Sequence, residues 1–296
     1  SKVIPAAKTV ASEACIGQTD DRIRIMGVLC LATMAEVLGQ AMIPALPETL
    51  SRSLSLLEIS LEGKEDFRLH DAVFSLFSAL FAHLPFMLTS VHLDKVLTLS
   101  FKSASIDMDE GSIDCRKEAL RLMARKVDMS STFGAVDRNW GHAVGTGPEA
   151  TREVLEIVRL AIEKHPKSAT MKNIPVLSNV LFKAFDLRGT QAALGEQAVF
   201  DAPDIDEVED MANDVAIKMI YKLNDTTFRP IFVKLLEWAT GGLAKDSQGN
   251  LPRLTTFYKF LQVFFGTLQV CNSHYVNSNC FLTYTVHCYW LCQLHY

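Results

Sequence analysis

Apolar side chains recur along this chain at steps of three, four or five residues, a spacing that one face of a helix uses and a strand cannot. The cleanest stripe is Leu69, Val73, Leu76, Leu80 and Leu84, widened by Ala72, Phe77 and Phe81. Upstream, Asp20 and Asp21 supply a cap for a helix over about 22–40. Ile23, Met26, Cys30, Met34, Val37 and Leu38 form one stripe of that helix, and Ile25, Val28, Leu29 and Leu31 fill its other faces. Such a pattern predicts a helix buried between neighbours. A further helix is expected over 112–127, with Ile113, Leu120, Met123 and Val127 inward. Gly147-Pro148-Glu149 is a helix entry, since Pro is tolerated in the first turn and Glu suits the positive end of the dipole. That helix carries Val154, Ile157, Val158, Ala161 and Ile162 and stops before Pro166. Others are expected over 173–185, around Val208 to Leu223, through Phe232, Leu235, Leu236 and Trp238 to Gly241, and over 253–269.

The looser connections fall at 101–111, 129–147, 188–204 and 241–251, and the rest are short, as antiparallel stacked helices require. An apolar residue followed by Pro opens several helices: Ile43-Pro44, Leu84-Pro85, Ile174-Pro175 and, in degenerate form, Arg229-Pro230-Ile231. The step from Pro44 to Pro85 matches one HEAT unit of about 40–47 residues, and the step from Pro85 to Pro175 matches two. The expected fold is all-α, a HEAT-type α-solenoid of stacked antiparallel helix pairs, with HEAT-like repeats over 1–180.

Composition agrees. Of 296 residues, 49% are apolar and 21% charged, enough for a sizeable core. The net charge of −5 argues against nucleic acid binding over the whole surface and leaves room for a local basic patch. The seven cysteines suggest no disulfide framework, and Cys30, inside an apolar run, reads as a small buried hydrophobe. No run of about 18 purely apolar residues occurs, and the opening Ser1-Lys2 suggests a piece of something longer.

Two segments depart from the pattern. Residues 201–210 hold six acids and no base, with Asp206, Glu207 and Glu209 in the opening turn of a helix. They suit either a solvated helix start or a docking site for a basic partner. From Phe260 to Tyr296 there is no charged residue, and residues 271–296 hold four of the seven cysteines.

The search for chemistry returns little. There is no phosphate loop, no nucleophile elbow and no HExxH. The glycine-rich piece from Gly141 to Gly147 lacks the preceding strand that a nucleotide loop needs, so it reads as a loop leading into a helix. His287, Cys288, Cys292 and His295 are competent zinc ligands without a recognised spacing. The other histidines (His70, His83, His92, His142, His165) are scattered and read as surface or helix-end residues. No catalytic, cofactor-binding or metal residue is assigned. Lys117, Arg121 and Arg125 repeat every four residues along one helix face, flanked by Arg116 and Lys126. This stripe is able to contact phosphates, or is a solvated face paired with Asp114 and Glu118. Trp140, in a loop, and Trp238, on a helix face, read as packing anchors.

The run from Leu223 to Ala239 (LNDTTFRPIFVKLLEWA), with Phe185-Asp186-Leu187-Arg188 before it and Arg253-Leu254-Thr255-Thr256-Phe257-Tyr258-Lys259 after it, resembles the C-terminal region of a known family. That is the family of U3 small nucleolar RNA-associated protein 10, the giant HEAT-repeat scaffolds of the small-subunit processome. The resemblance covers roughly 1–269 and makes 181–269 the start of the family's C-terminal helical domain. It implies a nucleolar, non-catalytic scaffold supporting processing toward 18S RNA and transcription by RNA polymerase I. The implied partners are other processome subunits, U3 RNA and pre-ribosomal RNA, with no cofactor, membrane or small-molecule substrate. Arg229 and Lys234, expected at the surface of the motif, join Lys117, Arg121 and Arg125 as candidate RNA or partner contacts. Residues 270–296 depart from the family and suggest a translated intron: Val270-Cys271 is encodable by GTATGT, a fungal-type splice donor, and Leu282-Thr283 by a branch-point core. The residues taken alone leave open a HEAT-type adaptor in nuclear transport or another protein complex.

Overall fold

The computed structural model describes residues 3–62, 66–241 and 250–274, with side chains to 267. Among the described residues there is no strand. The chain divides into two compact units, residues 1–180 with 199–204 and residues 181–198 with 205–296.

Unit 1 is a two-layered helical stack. Its helices are α1 (Val3–Ala11), α2 (Asp21–Leu38), α3 (Leu46–Ser60), α4 (Arg68–His83), α5 (Ser90–Ala104), α6 (Glu110–Lys126), α7 (Met129–Thr146), α8 (Pro148–Lys164), α9 (Lys167–Lys172) and the first part of α10 (Ile174–Phe185). Each packs on the helix two before it: α4 on α2, α6 on α4 and α8 on α6 in one layer, α5 on α3, α7 on α5 and α9 on α7 in the other. The helices of the first layer begin at Asp21, Arg68, Glu110 and Pro148, intervals close to a HEAT unit of about 40–47 residues. This is the solenoid packing that the periodicity predicts.

The α4 stripe explains why the layers cohere. Leu69, Ala72, Val73, Leu76, Phe77, Leu80, Phe81 and Leu84 are all buried. Each Leu or Phe so buried contributes roughly 1.5–3 kcal/mol relative to exposure. α8 starts as expected: Gly147 takes a positive φ of 139° that an L side chain rarely adopts, Pro148 follows at the first position, and Glu149 lies in the first turn.

Several expectations fail in unit 1. α2 is not buried between neighbours: Gly27, Val28, Leu31, Ala32 and Ala35 face the core, while Ile23, Met26, Leu29, Cys30 and Val37 are exposed. Small residues let α2 approach closely, and at Gly27 an added Cβ would come within 2.6 Å of Ile16 and 2.7 Å of the Cys15 sulfur. Residues 129–147 are no loop but α7, whose buried stripe is Met129, Phe133, Val136, Trp140 and Ala143. Trp140 anchors a helix, and Gly141 and Gly145 sit on its open side, where an added Cβ meets nothing within 4 Å. Pro44 and Pro85 lie in 3₁₀ turns (Gly39–Ala45 and Pro85–Met87) just before α-helices rather than opening them, whereas Pro175 does open α10. The Gly39–Ala45 turn also divides Asp21–Ser60, a stretch that by length and composition is apolar enough to cross a membrane, into α2 and α3.

Unit 2 contains the end of α10, α11 (Leu187–Leu194), α12 (Ala202–Tyr221) from Ile205 onward, α13 (Asp225–Thr240) and α14 (Leu251–His274). Its core is aromatic. Phe228 and Phe264 lie 5.6 Å apart between ring centres, Phe260 and Phe264 5.7 Å, and Phe185 and Phe260 5.7 Å. α13 begins earlier than the Pro230 signal suggests, because Asn224 caps it by accepting from Thr227 N at 3.0 Å. Pro230 therefore sits inside the helix, where it forgoes one backbone hydrogen bond. The zinc-competent residues, and from 275 onward the segment whose composition suggests a translated intron, lie outside the described residues.

Candidate interaction surface and the charged networks beneath it

The predicted basic stripe is split. Lys117 Nζ pairs with Glu149 Oε1 on α8 at 2.7 Å, and Arg121 lies 3.7 Å from Glu118. Of the three at four-residue spacing only Arg125 stands fully at the surface, with the flanking Lys126 exposed beside it at the end of α6. Arg229 pairs with Asp225 at 3.0 Å on the exposed face of α13, and Lys234 is exposed five residues further on. At about 100° per residue, that step of five places the two on different sides of the helix.

Arg116 behaves differently from its neighbours. It is 1% exposed, and its Nε and Nη2 donate to Glu153 Oε1 at 3.1 and 2.8 Å. Nη1 donates to Ser103 Oγ at 2.9 Å, and Ser103 Oγ lies 2.8 Å from His70 Nε2. Ser103 Oγ also lies 3.6 Å from Met108 Sδ, and the other ring nitrogen of His70, Nδ1, faces Asp71 Oδ1 at 2.9 Å. Asp71 Oδ2 then accepts from Ser112 at 3.1 Å. One buried polar chain thus crosses α4, α5, α6 and α8, and His70 is a core residue rather than a surface one. Burial pushes the Glu153 carboxyl upward while Arg116 pulls it back, and Glu153 Oε2 has no partner. The signal was in the sequence: Arg116 sits between Ile113 and Leu120 on the apolar face, and Glu153 beside Val154 and Ile157 on the next.

The acidic segment 201–210 has an internal partner. Glu209, fully buried, accepts from Arg188 Nε at 2.7 Å and Nη2 at 2.6 Å, from Lys259 Nζ at 3.0 Å and from Thr256 Oγ1. Asp206 accepts from Lys259 and Arg188. Burial alone would raise Glu209, but the bonds from Arg188, Thr256 and Lys259 hold it below the ordinary carboxylate value. Lys259 and then Arg188 hold Asp206 down likewise, and Glu209 foremost pushes Arg188 up. Glu209 is buried and so is no part of a solvated helix start, whereas Asp206, its side chain 55% exposed, is solvated as well as paired, and both find their cations inside unit 2. They tie α12 to α11 and α14 within unit 2.

Beside this network, Arg253 Nε donates to Asp186 Oδ1 at 2.7 Å, and the guanidinium lies 5.6 Å from the centre of the Trp238 ring. The three quoted sequence stretches, 185–188, 223–239 and 253–259, therefore meet in space through Asp186, Trp238 and Arg253.

In unit 1 a cleft of about 470 Å³ is lined by Glu13, Arg24, Glu48 and Arg52. Its Arg52 is held by Glu13 at 2.7 Å and Glu48 at 3.2 Å. Among the described residues, no group of three or more His, Cys, Asp or Glu side chains comes together as a metal site.

Comparison with known proteins places these features in a family context. Residues 169–285 match the BP28CT (NUC211) domain. Over 271 residues the chain is 73% identical to the U3 small nucleolar RNA-associated protein 10 of Aspergillus oryzae, covering 91% of this chain and 15% of that protein. The protein of the same name from Neosartorya fischeri gives the same identity and coverage. The one from Coccidioides immitis is 53% identical over the same shares. The chain thus spans about 15% of the length of the curated relatives it matches.

Proposed function

The chain is a segment of the U3 small nucleolar RNA-associated protein 10 family, and on that premise we propose that it serves ribosome biogenesis as a non-catalytic scaffold. Its helices present extended surfaces to other subunits of the U3-containing small-subunit processome, in the nucleolus. There the whole protein supports processing of pre-ribosomal RNA toward 18S RNA and transcription by RNA polymerase I. The observation that carries this reading is the 73% identity sustained over 91% of the chain, through both units. The physical features are consistent with it. Charged residues inside the molecule, such as Arg116, Glu153 and Glu209, are consumed in holding helices together rather than gathered around a pocket.

Depletion of the natural protein followed by pulse labelling of ribosomal RNA tests the proposal. It predicts that total pre-ribosomal RNA synthesis falls and that mature 18S RNA falls further than the large-subunit RNA. Unchanged synthesis together with an unchanged ratio of the two contradicts it.

A further inference from the structure

Most arginines of unit 1 are engaged: Arg116, Arg121, Arg138, Arg152 and Arg159 each have a carboxylate partner. Arg125, Lys126, Lys164 and Lys167 are exposed and have no ion pair among the described residues. These four share one edge of the stack. Ser112, near the head of α6, bonds Asp71, near the head of α4, and His165, just past the tail of α8, lies 3.2 Å from the carbonyl of Ala124, near the tail of α6. α4, α6 and α8 are therefore parallel, and the turns that follow them line up. The turn after α4 carries Phe86, 62% exposed. Arg125 and Lys126 close α6, and Lys164 and Lys167 flank the turn after α8. The four cations outnumber the acids beside them: Asp128, which caps α7 by accepting from Ser131 N at 3.0 Å, keeps its charge, while Glu163 is already paired with Arg159 at 2.8 Å.

A cation in the last turn of a helix is favoured by the helix dipole, and that accounts for Arg125, Lys126 and Lys164 without any ligand. It does not account for Lys167, which opens α9, where the dipole opposes a cation. Nor does it account for an exposed phenylalanine ring on the same edge. We propose that this edge binds single-stranded RNA, with phosphates against the four cations and a base stacked on Phe86. The inference rests on the ribosome-assembly reading for its choice of RNA. The chemistry of the edge supports that choice, because exposed cations with an aromatic platform form the pairing that tracks a single-stranded backbone. Helices stacked about 10 Å apart space the turns within reach of neighbouring phosphates.

Fluorescence anisotropy of the whole chain with a labelled oligouridylate tests the edge. Lys126→Glu/Lys164→Glu/Lys167→Glu is expected to weaken binding roughly tenfold or more and to flatten the slope of log affinity against log salt by about two. Phe86→Ala is expected to weaken binding roughly fivefold or more with the slope unchanged. Lys102→Glu, an exposed cation at the far end of α5, is expected to leave binding as it was. All these positions are exposed, and unchanged melting by circular dichroism confirms that each variant folds. No measurable binding by the unsubstituted chain overturns the proposal. So does a triple variant that binds as before, an equal loss in Lys102→Glu, or polyglutamate competing as strongly as unlabelled oligouridylate, which would make the edge a dock for acidic protein. These outcomes leave the ribosome-assembly reading intact, since depletion of the natural protein measures that separately.

Discussion

Arg253 donates to Asp186 at 2.7 Å across 67 residues of sequence while its guanidinium covers the Trp238 ring. The planar, delocalised cation bonds the carboxylate with its edge and the ring with its face, a combination that a lysine ammonium does not reproduce. Arg253→Ala is expected to lower the stability of unit 2 by about 1–2 kcal/mol, a modest figure because the pair is partly exposed. Arg253→Lys should restore less than half. Urea denaturation followed by tryptophan fluorescence measures both, and full recovery by lysine would show that charge alone matters here.

The Glu209 network makes unit 2 acid-sensitive. The folded-state pKa values of Glu209 and Asp206 are depressed, so their contribution is present above the unfolded carboxylate value. It is lost as pH falls below about 4 and through the folded values. Glu209→Gln should cost about 2 kcal/mol at neutral pH, since it leaves Arg188 and Lys259 without their shared carboxylate. The gap between variant and wild type should close on acidification. A gap that stays constant from pH 7 to pH 3 contradicts the assignment.

In unit 1, Arg116 and Glu153 are buried together, and removing either strands the other. Arg116→Met or Glu153→Met alone is expected to cost about 3–5 kcal/mol. The double substitution should cost less than the sum of the two by at least about 2 kcal/mol, because no unpaired charge remains. Urea unfolding of the four proteins in the cycle gives the coupling, and additive losses would refute it.

α7 offers a test of helix against loop. Gly141 and Gly145 lie in a helix with open space where a Cβ would go. Alanine at either position should stabilise the chain by roughly 0.5–1 kcal/mol. In a loop that uses glycine conformations the same change would destabilise, so the sign of the shift in thermal midpoint decides.

Those glycines mark where the sequence was hard to read. The α4 and α8 stripes are legible because each buries long apolar residues at unbroken helical spacing. α7 has the same spacing in Phe133, Val136, Trp140 and Ala143, but three glycines around it lower its intrinsic helix preference, and only packing on α5 and α8 makes up the deficit. α2 misleads in the other direction. It is apolar on every side, and composition does not reveal which face finds a partner. The basic stripe is legible as a pattern, but not the division of labour within it. Lys117 is used by Glu149 on a neighbouring helix, Arg116 turns inward to Glu153, and Arg125 is left at the edge. Partners some 32 to 37 residues away are invisible to local spacing. The same holds for the acidic run, whose cations come from Arg188 and Lys259 on either side of it.

The most direct test of the scaffold assignment is a pull-down of the tagged natural protein from cell extract, probed for U3 RNA and for the 5′ part of pre-ribosomal RNA. An unrelated HEAT-repeat protein serves as the reference. Strong enrichment of both RNAs over that reference is the predicted result. Enrichment of neither would contradict the account and leave a helical adaptor whose complex lies elsewhere in the cell.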